Sequence, residues 1–178
     1  SMTVAHVLPG VARQHLLKAA SRQFVQGDVQ HWWLPETGAG VRTHISDDTV
    51  WLAYCTAYYV RLTGDTSVLD EEVPFLEGRA LKQGEHDAFY VPAISQDSAS
   101  LYEHCITGLL TNFKTGAHGL PLMGTGDWND GMNRVGEHGQ GESVWLGWFL
   151  CASLKQFEAI AAKRGDKRGR AWAAKRKS

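Results

Sequence analysis

The densest chemistry in the chain is one run, Gly124-Thr125-Gly126-Asp127-Trp128-Asn129-Asp130-Gly131-Met132-Asn133. Asp127 and Asp130 set two carboxylates three positions apart, with an indole and an amide between them and the Asn133 amide just beyond. Such a loop can offer an acid, a flat apolar platform and several hydrogen-bonding groups together. That set suits sugars, whose CH faces stack on indole while their hydroxyls take carboxylate and amide partners. A carboxylic acid kept protonated by burial can also protonate a glycosidic oxygen. A calcium loop does not fit, because Met132 stands where the sixth-position glycine belongs and His138 where the closing glutamate belongs. A phosphate loop does not fit either, since no Gly-Lys-Ser/Thr follows the Gly-x-Gly. The plain alternative is a turn of Asp, Asn and Gly around a buried Trp.

A second concentration starts at His31-Trp32-Trp33 and continues through Arg42 to Ser46-Asp47-Asp48. Adjacent indoles, a guanidinium and a carboxylate pair, Trp33, Arg42, Asp47 and Asp48 among them, would make a second wall for a polar pocket. Structural duties compete for the same residues. Acids at a helix start are favoured by the positive end of its dipole, and Arg42 can staple a loop to an acid. His104, beside Glu103 in a helical stretch, is either a satisfied core histidine or a pocket residue. Glu142 is either a first-turn acid or a neighbour of the reactive loop. Without HExxH or paired Cys/His spacing, no zinc or other metal centre is expected.

The elements that must position these groups read as helices. Apolar periodicity predicts them over 8–26, 46–64, 98–114 and 142–163, with a short one at 67–73. Ser46 is the expected N-cap of the second. Residues 27–46, 76–96 and 116–141 read as loops, the last holding eight glycines. With no alternating strand pattern visible, the expected class is all-α. Loops of about 20 residues are long for a compact domain, and loops rich in Trp, His and Asp are more consistent with function than with disorder.

Composition narrows the classes further. The chain has 178 residues, 43% apolar and 21% charged, which fits a single globular domain and not a disordered one. No apolar run is long enough to span a membrane, and no signal-peptide pattern is visible. Three cysteines, Cys55, Cys105 and Cys151, are too scattered for a disulfide framework and suit a reducing, cytoplasmic setting. Residues 163–178 carry eight Lys/Arg against Asp166 alone. This basic end lacks the aromatic interleaving of a nucleic-acid surface and reads as a solvated C-terminal helix or tail.

The signature Gly126-Asp127-Trp128-Asn129-Asp130-Gly131-Met132-Asn133 resembles that of glycoside hydrolase family 94, the inverting disaccharide phosphorylases. Further matches resemble the C-terminal region of cyclic β-1,2-glucan synthases: His31-Trp32-Trp33, Gly40-Val41-Arg42-Thr43, Ser46-Asp47-Asp48, Ser100-Leu101-Tyr102-Glu103-His104-Cys105, His118-Gly119-Leu120-Pro121-Leu122-Met123-Gly124 and Gly141-Glu142-Ser143-Val144-Trp145-Leu146. The resemblance implies a catalytic-domain segment over 1–165, folded as part of an (α/α)6 toroid of about five or six helices, followed by the basic end at 166–178. It implies Asp130 as general acid, and Trp128, Asp127, Asn129, Trp33, Arg42, Asp47, Asp48, Glu142 and His104 as groups around the sugar. Inorganic phosphate would be co-substrate and no cofactor is implied. The family's phosphate-binding His and Thr fall in a region beyond this sequence. A β-glucan oligosaccharide is the expected ligand. A second copy, or the remainder of a larger inner-membrane-associated synthase, is the expected protein partner, covering the Trp145/Trp148 or Tyr58/Tyr59 face. A hydrolase using water would instead need a base carboxylate, for which Glu142, Asp127 and Glu103 are candidates.

Overall fold

The computed structural model describes residues 2–82 and 84–168. In chain order it runs α1 (Met2–Val7), α2 (Pro9–Ala20), β1 (Gln30–Trp33), β2 (Gly40–Thr43), α3 (Asp48–Thr63), β3 (Glu72–Glu77), β4 (Asp87–Tyr90), β5 (Ala93–Ser100), α4 (Leu101–Thr111), α5 (Asn133–Gly136) and α6 (Val144–Lys163). Single 3-10 turns occupy Ser67–Asp70 and Asp130–Met132. The last ten residues of the basic end, 169–178, lie outside the described residues.

The all-α expectation, and with it the partial (α/α)6 toroid, is corrected here. Among the described residues the strands form two antiparallel sheets, one in the order β1-β2-β4 and one pairing β3 with β5. Of these strands, β1, β2 and β4 fall in stretches 27–46 and 76–96, which read as loops in the sequence, while β3 starts inside the short helix expected at 67–73 and β5 ends inside the helix expected at 98–114. Most are four residues long, too short to display an alternation, and their partners are distant in sequence. The class is mixed α and β.

The helices supply the core. On α6, Leu146, Leu150, Leu154, Phe157 and Ala161 recur every three or four residues and are buried. They meet Val50, Ala53 and Ala57 of α3, Leu101, Cys105 and Leu109 of α4, and Ala12, Leu16 and Ala20 of α2 in one cluster. Ser143 caps α6, its Oγ accepting from Leu146 N at 2.9 Å, and Ser100 caps α4 through Glu103 N. Gly64 ends α3 in the left-handed conformation at φ 74°. Tyr59 is buried and donates to Asp65, so Tyr58/Tyr59 is not the outward face expected from the sequence; Trp148, 76% exposed, does point outward.

The fold also clasps the two chemical regions together. Ile45 bridges to Gly124 and Gly126, while Thr125 N donates to His44 O and Ser46 N to Gly126 O, both at 3.0 Å. Ser46 therefore spends its Oγ on Gly126 O and does not cap α3; Asp47 occupies the N-cap without a side-chain capping bond. A Cβ at Gly124, whose φ is 67°, would sit 1.9 Å from His44 O, so only glycine allows this approach.

Candidate active site

Asp130 opens the 3-10 turn at the tip of the loop, with its side chain 62% exposed. Asn129 shapes that turn, its Oδ1 accepting from Gly131 N at 3.1 Å. Trp128, next to it, is 62% exposed, so an exposed indole stands beside an exposed carboxyl. Below, Asp127 is buried and fully engaged: Ser143 Oγ donates to its Oδ2 at 2.6 Å and Asn129 N to its Oδ1 at 3.1 Å. Asp127 thus ties the loop to the capped start of α6.

The facing wall comes from β1 and the start of α3. His31 Nδ1 lies 2.8 Å from Asp48 Oδ2, and its Nε2 lies 3.5 Å from Asp130 Oδ2. The hydrogen bond to Asp48 holds the His31 imidazole above the ordinary histidine value despite its partial burial. Asp47 is buried and accepts from Trp51 Nε1 at 2.9 Å. Desolvation pushes its carboxyl up to about 6, helped by the charges of Asp48 and Asp127 and opposed by the Trp51 bond. Aromatic rings link the walls: Trp128 to Trp145 at 6.2 Å, Trp145 to Phe149 at 5.1 Å, and Phe149 to Trp51 at 4.5 Å between centroids.

The structure thus brings Asp130, Trp128, Asn129, Asp127, Asp47 and Asp48 into one neighbourhood, with Trp33 half-buried on β1. It sends three other sequence candidates elsewhere. Arg42 is buried with all five guanidinium hydrogens committed: to Asp28 through Nε at 2.5 Å and Nη2 at 2.7 Å, to Gln26 Oε1, and to the carbonyls of Gly78 and Arg79. It also lies over the Phe24 ring at 3.9 Å. His104 is wholly buried, stacked on Phe75 and bonded to Gln23 and the Val73 carbonyl; burial lowers its basicity. Glu142 clamps the 116–120 turn, accepting from His118 N at 2.9 Å and Leu120 N at 3.3 Å, with its Oε2 2.7 Å from His118 Nδ1. Desolvation would raise Glu142, but these bonds outweigh it and hold the carboxyl below the usual glutamate range.

Sequence reasoning left one residue out of the site, His31. It was visible at the head of the His31-Trp32-Trp33 run, but nothing in the spacing pairs it with position 130. Two cavities lie apart from this neighbourhood. One of about 560 Å³ sits between α3 and α6 against Ala57, Arg61, Ile160 and Lys163, and one of about 570 Å³ lies beside His118 and Glu142.

The profile of the glycosyl hydrolase 94 superfamily catalytic domain matches residues 1–178. The chain belongs to this superfamily. Among glycosyl hydrolase 94 relatives, it is 58% identical over 160 residues to cyclic beta-(1,2)-glucan synthase NdvB of Rhizobium meliloti (strain 1021), covering 89% of this chain and 6% of the synthase. It is 31% identical to solabiose phosphorylase of Paenibacillus borealis, over 89% of this chain and 18% of that enzyme. It is 30% identical to a cellobionic acid phosphorylase of Neurospora crassa, over 93% of this chain and 19% of that enzyme. The chain therefore spans less than a fifth of the length of each of these three relatives.

Proposed function

We propose that this chain carries the proton-donating wall of an inverting, phosphorylase-type glycosyl-transferring site for β-1,2-linked glucosides, with Asp130 as general acid. One observation carries the reading. Asp130 is 62% exposed beside the exposed Trp128 and is approached by His31 Nε2 at 3.5 Å, while the neighbouring carboxylates of Asp127 and Asp47 are buried and hydrogen-bonded within the fold. A sugar ring stacked on Trp128 would bring its glycosidic oxygen to Asp130, which donates the proton as that bond breaks. Inorganic phosphate, the co-substrate in this reading, is already an anionic nucleophile and needs no base to activate it.

The state of the other acids supports phosphate over water. A water-using inverting enzyme needs a second free carboxylate about 6.5–9.5 Å from the acid. Of the three candidates read from the sequence, Asp127 is held by Ser143 and Asn129, Glu142 by His118 and Leu120, and Glu103 by Arg168 through both oxygens.

In the same reading residues 1–165 form the catalytic segment and 166–178 a basic end. The chain works in the cytoplasm, alone or within a larger inner-membrane-associated synthase. No helix among the described residues is long and apolar enough to cross a membrane.

The test is release of glucose 1-phosphate from sophorose-type oligomers in inorganic phosphate. Asp130→Asn is expected to lower that rate about 100- to 10,000-fold while calorimetry shows oligosaccharide affinity within a few-fold of the parent. Undiminished release by Asp130→Asn would overturn the assignment. Binding without any release in the parent would mark a carbohydrate-binding unit instead.

A further inference from the structure

The β1–β2 pairing is irregular at one place. Gln30 pairs with Arg42 and Trp32 with Val41, so His31 is an extra residue with no partner across the ladder. A bulge of this kind frees one side chain from the alternation of the strand and re-aims it, and bulges concentrate beside functional sites. Here the re-aimed group is an imidazole with both nitrogens facing carboxylates: Nδ1 to Asp48 Oδ2 at 2.8 Å and Nε2 to Asp130 Oδ2 at 3.5 Å. The charged groups around it are Asp48 and Asp47 at the start of α3 and Asp130 on the opposing loop. From β2, the strand packed alongside, the Arg42 guanidinium is committed to Asp28.

We propose that His31 is a positioning residue for Asp130: anchored by Asp48 through Nδ1, it aims Nε2 at the Asp130 carboxyl and restores its proton after each transfer. The proposal rests on the reading of Asp130 as the acid. Once Asp130 has given its proton to the leaving oxygen, its carboxylate faces the Nε2–H of an imidazolium. The Nε2–H bond breaks with its electron pair staying on nitrogen, and an O–H bond forms on Asp130 Oδ2. The neutral imidazole keeps Nδ1–H on Asp48 and takes its next proton from water at its partly exposed edge. Catalytic contacts of this sort shorten when the substrate is bound.

Two measurements test it. The first is an NMR titration of the His31 imidazole in the full chain. Its midpoint is expected to lie above the ordinary histidine value, and to fall in Asp130→Asn and further in Asp48→Asn. A midpoint unmoved by Asp130→Asn would overturn the proposal, because the two groups would then not share a charge.

The second is turnover in the phosphorolysis assay. His31→Gln is expected to lose at least about tenfold in kcat at nearly constant KM. The alkaline limb of its pH profile should also disappear, and added imidazole should restore rate to His31→Ala. Parent-like turnover in His31→Gln, with Asp130→Asn inactive, sinks the His31 role and leaves Asp130 as the acid. Full activity in Asp130→Asn sinks both. If His31→Gln does not fold, the Asp130→Asn titration decides alone.

Discussion

Asp47 shows how one buried carboxyl can tie the site to stability. It is 4% exposed, and its carboxyl titrates near 6 instead of 3.8. A raised folded-state value means the native protein binds this proton more tightly than the unfolded chain does. The contribution of Asp47 to stability is therefore full below about pH 4, falls as pH rises towards 6, and stays lowered above it. The full loss is on the order of 3 kcal/mol. Asp47→Asn is expected to flatten this dependence and raise stability at pH 7 by about 1–2 kcal/mol, as read from urea midpoints at pH 4, 5, 6 and 7. Arg42 is the converse case, a charge whose hydrogen-bonding capacity is used entirely inside the protein. The staple between a loop and an acid was one of the two readings open in the sequence, but Asp28 and Gln26 carry no motif, so which acid it holds could not be read there. A planar fork with five placed donors is also a role that lysine cannot fill.

At the scale of elements, the clasp between residues 44–46 and 124–126 sets the spacing of the two walls. Gly124→Ala would force a Cβ against a carbonyl and a side chain into a left-handed φ. It is expected to cost about 1–3 kcal/mol in urea unfolding and to weaken oligosaccharide binding together with stability. Helices α3, α4 and α6 were legible because their apolar periods are long and Gly64 marks the end of α3, although α4 and α6 begin at Leu101 and Val144, later than the 98 and 142 expected. The strands were not, because what makes them is pairing. Gly40 belongs to β2, where a Cβ would fall 2.4 Å from Trp32 O, a constraint that only the partner strand creates. The same holds for the site. Residue types exposed the clusters around 31–48 and 127–130, whereas the bulge that turns His31 between them exists only in the folded register.

At the scale of the whole molecule, α6 exposes Val144 and Trp148 one helical turn apart. Exposed apolar side chains on one helix face suit an interaction face. If a second copy covers it, sedimentation velocity at micromolar concentration will show a dimer that Trp148→Arg converts to monomer; a parent that sediments as a monomer assigns the face to a different partner. The clasp also has a consequence for how the molecule is made. Ser46 and Gly126 are 80 positions apart, and contacts of such separation pay a loop-closure entropy before they return any stabilisation. Closing the clasp is therefore favoured once α3, α4 and the strands between them have drawn the two segments together. In the proposed reading, sugar recognition then reports that the fold is complete, and a half-folded chain is silent towards the sugar.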